Sequence, residues 1–198
     1  MQKLKPLWLV AGALCLFSGN AAAQVQNPFS VQASALFEQV YGDASQWRLN
    51  ESLPAGYGVE GQVRYTPSAL SLGGGVQWTT HNWTDGGEDS KLSLLGAFLE
   101  PRYVLPATDR IGPYLSARLA LTKLKLKVAG DEVGTATGTT INGGGGILVA
   151  LAPRMALDIG ATFGYTNFGD LENNGTPTGL KTGSGTNLIA RVGLAIGL

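Results

Sequence analysis

The chain has one histidine, His81, in the stretch Thr79-Thr80-His81-Asn82-Trp83-Thr84-Asp85, and one cysteine, Cys15. An imidazole beside a serine hydroxyl can activate it for ester chemistry. His81 has no such partner at His-x-Ser spacing, since Trp83 stands there, and it reads as a rim histidine bonded to loop groups. A lone cysteine provides neither a disulfide nor a Cys-based metal site, and no cofactor or catalytic residue is expected. The richer set is charged: Glu38, Glu60, Arg64, Glu100, Arg102, Arg118, Asp158 and Arg191, four carboxylates and four guanidinia. A planar guanidinium bridges carboxylates in bidentate fashion, which suits enclosed ion pairing. No lysine is among them, although lysine would dominate a solvated face.

These eight residues are held by segments in which apolar and polar residues alternate strictly, the mark of strands with two different environments. The pattern occurs eight times. Phe29, Val31, Ala33, Ala35, Phe37 and Tyr41 share one face, as do Tyr57, Val59, Gly61, Val63 and Tyr65. Leu70, Leu72, Val76 and Trp78 form the third set, Leu95, Ala97, Leu99 and Tyr103 the fourth, and Ile111, Leu115, Ala117, Leu119 and Leu121 the fifth. A glycine-rich sixth set has Ile147, Val149 and Leu151, the seventh runs from Leu157 to Tyr165, and the eighth from Leu188 to Leu198. Every strand charge falls on the polar face.

The connections 66–69, 106–110 and 152–154 are short and contain Pro, whereas the other four are longer and rich in Gly, Asn, Asp and Thr. Short turns on one side and long loops on the other, with both termini at the short side, fit an even-stranded membrane barrel. Tyr41, Tyr57, Trp78 and Tyr165 lie toward the long loops, and Phe29, Tyr65 and Tyr103 toward the short turns. Such aromatic girdles bound an apolar band about 25 Å tall. Pro101 and Pro113, poorly suited to a sheet interior, are expected to face each other near the short-turn rim.

Lys3 and Lys5 precede an uncharged apolar run from Pro6 to Phe17, and Ala21, Ala22 and Ala23 follow, which reads as a signal peptide cut after Ala23. The apolar run is shorter than the roughly 20 residues of a membrane helix. Residues 24–198 would then form one domain, with 12 basic and 14 acidic residues. That lacks the basic excess of a nucleic-acid binder. With 29 glycines and 14% charged residues, the composition matches neither a helical membrane protein nor a typical soluble domain. A soluble β-sandwich or lipocalin-like barrel could also alternate, but the arginine-only polar face argues against it.

The segment Arg191-Val192-Gly193-Leu194-Ala195-Ile196-Gly197-Leu198 resembles the C-terminal assembly signal of outer-membrane proteins, with Leu198 where Phe or Trp is usual. Together with the signal segment and eight strands, the chain is similar to the small OmpA/OmpX-type and opacity-like β-barrel superfamily. The fold expected is therefore all-β, an eight-stranded antiparallel transmembrane β-barrel. The resemblance implies a cell outer membrane protein of a Gram-negative envelope, a monomer in contact with lipid, lipopolysaccharide and the assembly machinery.

An eight-stranded barrel has a lumen just wide enough for side chains to fill. The eight inward charges then form a balanced plug, and the reading that follows is a non-enzymatic protein serving envelope integrity or surface interaction. The alternatives are a narrow porin-like channel and, more distantly, a lipid A-modifying enzyme. Trp47, Arg48, His81, Trp83 and the stretch 167–186 are loop positions available to a surface ligand. Lys123, Lys125 and Lys127 continue the apolar phase of the fifth strand, which places them opposite lipopolysaccharide phosphates just above the band. The competing reading has that strand leaving the membrane, or a bulge passing the lipid-facing phase to Leu124 and Leu126.

Overall fold

A computed structural model describes residues 28–42, 53–105, 108, 110–173, 176–181 and 183–198. The expected signal segment lies outside the described residues, as do Trp47 and Arg48. Ten strands follow in order: β1 (Phe29–Gly42), β2 (Gly56–Tyr65), β3 (Leu70–Asp85), β4 (Glu88–Val104), β5 (Ile111–Val128), β6 (Asp131–Ala152), β7 (Met155–Phe168), β8 (Asp170–Asn173), β9 (Thr176–Lys181) and β10 (Ser184–Gly197). Strands β1 to β7 and β10 each pair antiparallel with two neighbours, and the β5–β6 pairing closes the ring. The short β8–β9 hairpin sits on the end of β6. A closed eight-stranded barrel results, with its backbone groups paired between strands as a bilayer demands.

The two faces are those the alternation predicts. Val59, Val63, Val76, Leu99, Leu115, Leu119 and Ile141 are exposed on the outside, while Gln32, Gln62, Gln77, Asn142 and Thr162 are buried within. At the short-turn rim Phe29 packs against Tyr65, tilted by 36° with ring centroids 4.8 Å apart, and toward the other rim Phe37 meets Tyr57 edge-on at 5.7 Å.

Two of the four connections expected to be long loops are instead two-residue turns. β3 and β4 join through Gly86-Gly87, and β5 and β6 through Ala129-Gly130, all four with positive φ. Positive φ at both central residues is the type I′ geometry that matches strand twist, and Ala129 takes it at φ 51° despite its Cβ. The connections looked long because the strands themselves continue beyond the membrane.

In that continuation the period is kept and its meaning inverts. Leu92, Leu94, Leu124, Leu126 and Ala136 point inward and, with Leu53 and Leu171, form an apolar core. Lys91, Lys123, Lys125 and Lys127 alternate with them on the outer face. The register of β4 with β5 stays unshifted from Arg102 to Ser90, so no bulge hands the lipid-facing phase to Leu124 and Leu126. Once water replaces lipid outside, apolar residues gain by facing in.

The prolines do not face each other. Between β4 and β5 the pairing jumps from Leu99↔Leu119 to Arg102↔Ser116, lapsing where Pro101 lacks an N–H, while Pro113 accepts at its carbonyl from Leu105 N. A charge on the lipid face is expected to be costly only within the band. Leu119→Arg should lose ~2–4 kcal/mol in urea titrations of vesicle-folded protein, whereas Thr137→Arg, level with Lys123, should be near neutral.

Candidate functional site: the barrel interior

The inward charges are carried by six strands, and their exposures run from 0% at Glu100 and Asp158 to 6% at Arg64. Register determines which can meet. Glu100 stands beside Gly73 on β3, and Gly73 beside Arg64 on β2. A Cβ at Gly73 would lie 2.5 Å from Arg64 Nη2, so the missing side chain is what lets Arg64 reach across β3. Arg118 occupies the level of Glu100 on the adjacent β5, and Arg191 enters from β10 across the lumen.

Glu100 touches all four arginines. Its Oε1 accepts from Arg64 Nη2 at 3.0 Å, Arg102 Nε at 2.6 Å and Arg191 Nη2 at 3.0 Å. Its Oε2 accepts from Arg118 Nε at 2.8 Å and Arg191 Nη1 at 2.7 Å. Asp158 accepts from the Tyr114 hydroxyl at 2.6 Å and Gln32 Nε2 at 2.7 Å, with Arg102 Nη2 2.9 Å away. Glu60 lies 2.8 Å from Arg118 Nη1, a charge contact without hydrogen-bond alignment. Arg118 Nη1 donates to Gln77 at 2.7 Å, and the Arg118 guanidinium stacks 3.9 Å above the Phe98 ring. The Tyr114 hydroxyl also accepts from Arg191 Nη2 at 3.0 Å.

Tyr114 shares a level with Gly146, Gly160 and Arg191 on successive strands. A Cβ at either glycine would strike its hydroxyl. The glycines of β6 and β7 thus vacate the lumen for one large ring that joins Asp158 to Arg191. Neither Gln77 nor the Tyr114 hydroxyl stood out as a pairing group in the sequence, although both lie on the polar face.

The eight charges do not pool into one balanced set. Three carboxylates, Glu60, Glu100 and Asp158, share the network with four arginines, and Arg64 makes up its bonding with Gln62, Ser71 Oγ and the Glu100 carbonyl. Glu38 lies apart, toward the extended end of the barrel. It accepts from Thr79 Oγ1 at 2.5 Å and Asn187 Nδ2 at 3.4 Å, and His81 Nε2 stands 3.7 Å from it. His81 is not at a rim: it is fully buried, with Nδ1 2.8 Å from the Pro54 carbonyl. It is the cation nearest Glu38 when protonated, and residues Leu53 to Gly56 close over it. Among the described residues no group of His, Cys, Asp and Glu has metal-binding geometry.

The remaining sequence candidates lie elsewhere. Gly193 packs its backbone against Ser34 of β1, while Ile196 and Leu198 face outward at the short-turn end. Lys123, Lys125 and Lys127 form a column on the outside of β5 and take no part in the interior network.

The chain is thus a closed antiparallel barrel, apolar outside and charged within. The family model for the outer membrane protein beta-barrel domain matches residues 9–188. The chain belongs to that family. Its fold is shared with Neisserial surface protein A, at 22% identity and TM-score 0.59 over 87% of this chain and 98% of that one. It is shared too with Ail, the attachment invasion locus protein of Yersinia pestis, at 12% identity and TM-score 0.55 over 86% and 98%. A second Ail structure, in complex with the heparin analogue sucrose octasulfate, gives TM-score 0.53 at 12% identity over 85% and 96%. No curated protein matches the sequence.

For this outer-membrane barrel, truncating the residue that all four arginines share should cost more than truncating one on the margin. Glu100→Ala strands buried guanidinia and is expected to lose ~3–5 kcal/mol. Tyr114→Phe removes hydrogen bonds to charged partners and should lose about 1.5–3 kcal/mol. Urea midpoints of the two refolded variants against the parent check both the order and the gap.

Proposed function

We propose that the protein is a non-enzymatic integral barrel of the Gram-negative outer membrane, plugged by its own side chains, whose work is done at the surface it presents rather than through its lumen. The observation that supports this best is Glu100. It is wholly buried and bonded to arginines arriving from β2, β4, β5 and β10. A carboxylate clasped from opposite walls bridges the lumen and leaves an ion no continuous path past it. On the short-turn side of that network lies a small pocket lined in part by Gln32, Arg64, Ser71 and Arg102, with room for about two or three waters.

The absence of catalytic work fits the histidine. His81 is fully buried, with Nδ1 on the Pro54 carbonyl and Nε2 3.7 Å from Glu38, and a general base must reach its substrate's proton. In the same reading residues 1–23 direct export and Arg191, Gly193, Ile196 and Leu198 serve assembly. The closed ring leaves no strand edge that requires a second chain, so the protein is read as a monomer.

Planar-bilayer recordings of the refolded barrel test the plug. No stable conductance steps are expected. Stable steps whose size changes in Arg118→Ala or Glu60→Ala would show an ion path and overturn the reading. Cleavage of lipid A esters that is lost in His81→Ala would overturn its non-enzymatic part.

A further inference from the structure

The pocket on the short-turn side of the interior network has charged walls of one sign only. Arg64 and Arg102 line it with the hydroxyls of Ser30, Thr66 and Ser71 and the Gln32 amide, and no carboxylate is among its walls. The acids that face these arginines lie behind them and are already shared. Glu100 Oε1 accepts from Arg64, Arg102 and Arg191 at once, and Asp158, beside Arg102, also takes Tyr114 and Gln32. Arg102, Arg118 and Arg191 each pair with two or more carboxylates, whereas Arg64 reaches Glu100 alone. Its Nε is buried with no acceptor among the described residues. The fourth inward acid, Glu38, is held by Thr79 and Asn187 toward the other end. The terminal carboxylate of Leu198, at the short-turn end, is not part of the lining.

The position that could have supplied a further carboxylate holds a serine. Ser71 stands opposite Arg102 in the β3–β4 register, and its Oγ accepts from Arg64 Nη1 at 2.9 Å. Having accepted there, the hydroxyl has its own proton to donate. Ser30 stands opposite Arg64 in the β1–β2 register and adds a second hydroxyl. A buried guanidinium whose charge is unmatched is destabilising, and water solvates that charge without cancelling it. Room for about two or three waters admits a halide or a carboxylate group but not the five heavy atoms of a phosphate. One negative charge also matches the surplus, since three carboxylates face four arginines.

We infer that this pocket binds one small monovalent anion, a halide or a carboxylate group, entering from the short-turn side between Arg64 and Arg102 and beside Ser71. The site rests on the charge count of the network and not on the lumen being closed to ions, so conductance and anion binding fail independently.

The test uses the refolded full barrel in uncharged detergent micelles at constant ionic strength, with chloride, bromide or formate replacing a bulky sulfonate such as HEPES. The urea midpoint of the parent is expected to rise with the small anions, the unfolding equilibrium constant falling about tenfold at roughly ten times the dissociation constant. A response to formate alone assigns the pocket to a carboxylate, and a response to chloride and bromide alone assigns it to a halide. Ser71→Asp fixes a carboxylate beside both arginines. It should be more stable than Ser71→Asn in the sulfonate and should lose the anion response, which Ser71→Ala keeps. Crystals grown from bromide should show an anomalous peak between Arg64 and Arg102. No response in the parent overturns the site, as does an equal response in Ser71→Asp, which is the mark of a general salt effect. Where Ser71→Asp does not refold, the bromide map of the parent decides, and peaks confined to the barrel's exterior overturn the site.

Discussion

One carboxylate holds the interior together. Glu100 takes hydrogen bonds from four guanidinia, each of which would be strongly destabilising if buried alone, and none of the four has another partner that could replace it fully. Around it the lumen is cut to measure. Gly73 opens the route for Arg64, and Gly146 and Gly160 open the route for Tyr114. The glycines that make the sixth segment look weak as a strand are therefore a condition of the network, because a narrow barrel cannot hold arginines and tyrosines at levels where every strand also projects a side chain.

The network carries one more positive charge than negative, and that imbalance explains its outlying members. Arg64 completes its bonding with neutral acceptors, Gln62, Ser71 and a backbone carbonyl. Glu38, the carboxylate that would have balanced it, sits higher on β1, held by Thr79 and Asn187 beside His81. When protonated, His81 restores neutrality to that upper cluster. Its bond to Pro54 further ties the segment entering β2 over the barrel mouth.

The faces were legible in the sequence, and the levels were not. Period 2 states on which side of the wall Glu60 or Arg64 lies, and both lie inside. Whether they meet depends on how far each strand is staggered against the next, a property of barrel closure that no single strand encodes. Thus Glu60 pairs with Arg118 from β5 rather than with Arg64, its neighbour on the same strand. Pro101 and Pro113, at nearly equal distances from their turn in sequence, fall four positions apart because the turn sets the β4–β5 register, which puts Ala117 opposite Pro101. The extent of β3 to β6 was hidden by a different cause. Their outer halves are polar outside, so a search for an apolar outward face ends at Trp78 and Leu121 although the strands continue to Asp85 and Val128.

That last point shows what alternation means in a barrel that outgrows its membrane. The backbone of β5 runs without a bulge from Ile111 through Leu126, and its side chains keep one phase throughout. Below Leu121 the outward positions are leucines and the inward ones include Arg118. Above it the outward positions are lysines and the inward ones are Leu124 and Leu126. The sheet has not changed, but its outer solvent has changed from lipid to water, and the favourable side for an apolar residue changes with it. The crossover between Leu121 and Lys123 therefore marks the upper edge of the hydrocarbon, and cations placed at that edge stand where acyl chains end and charged headgroups begin.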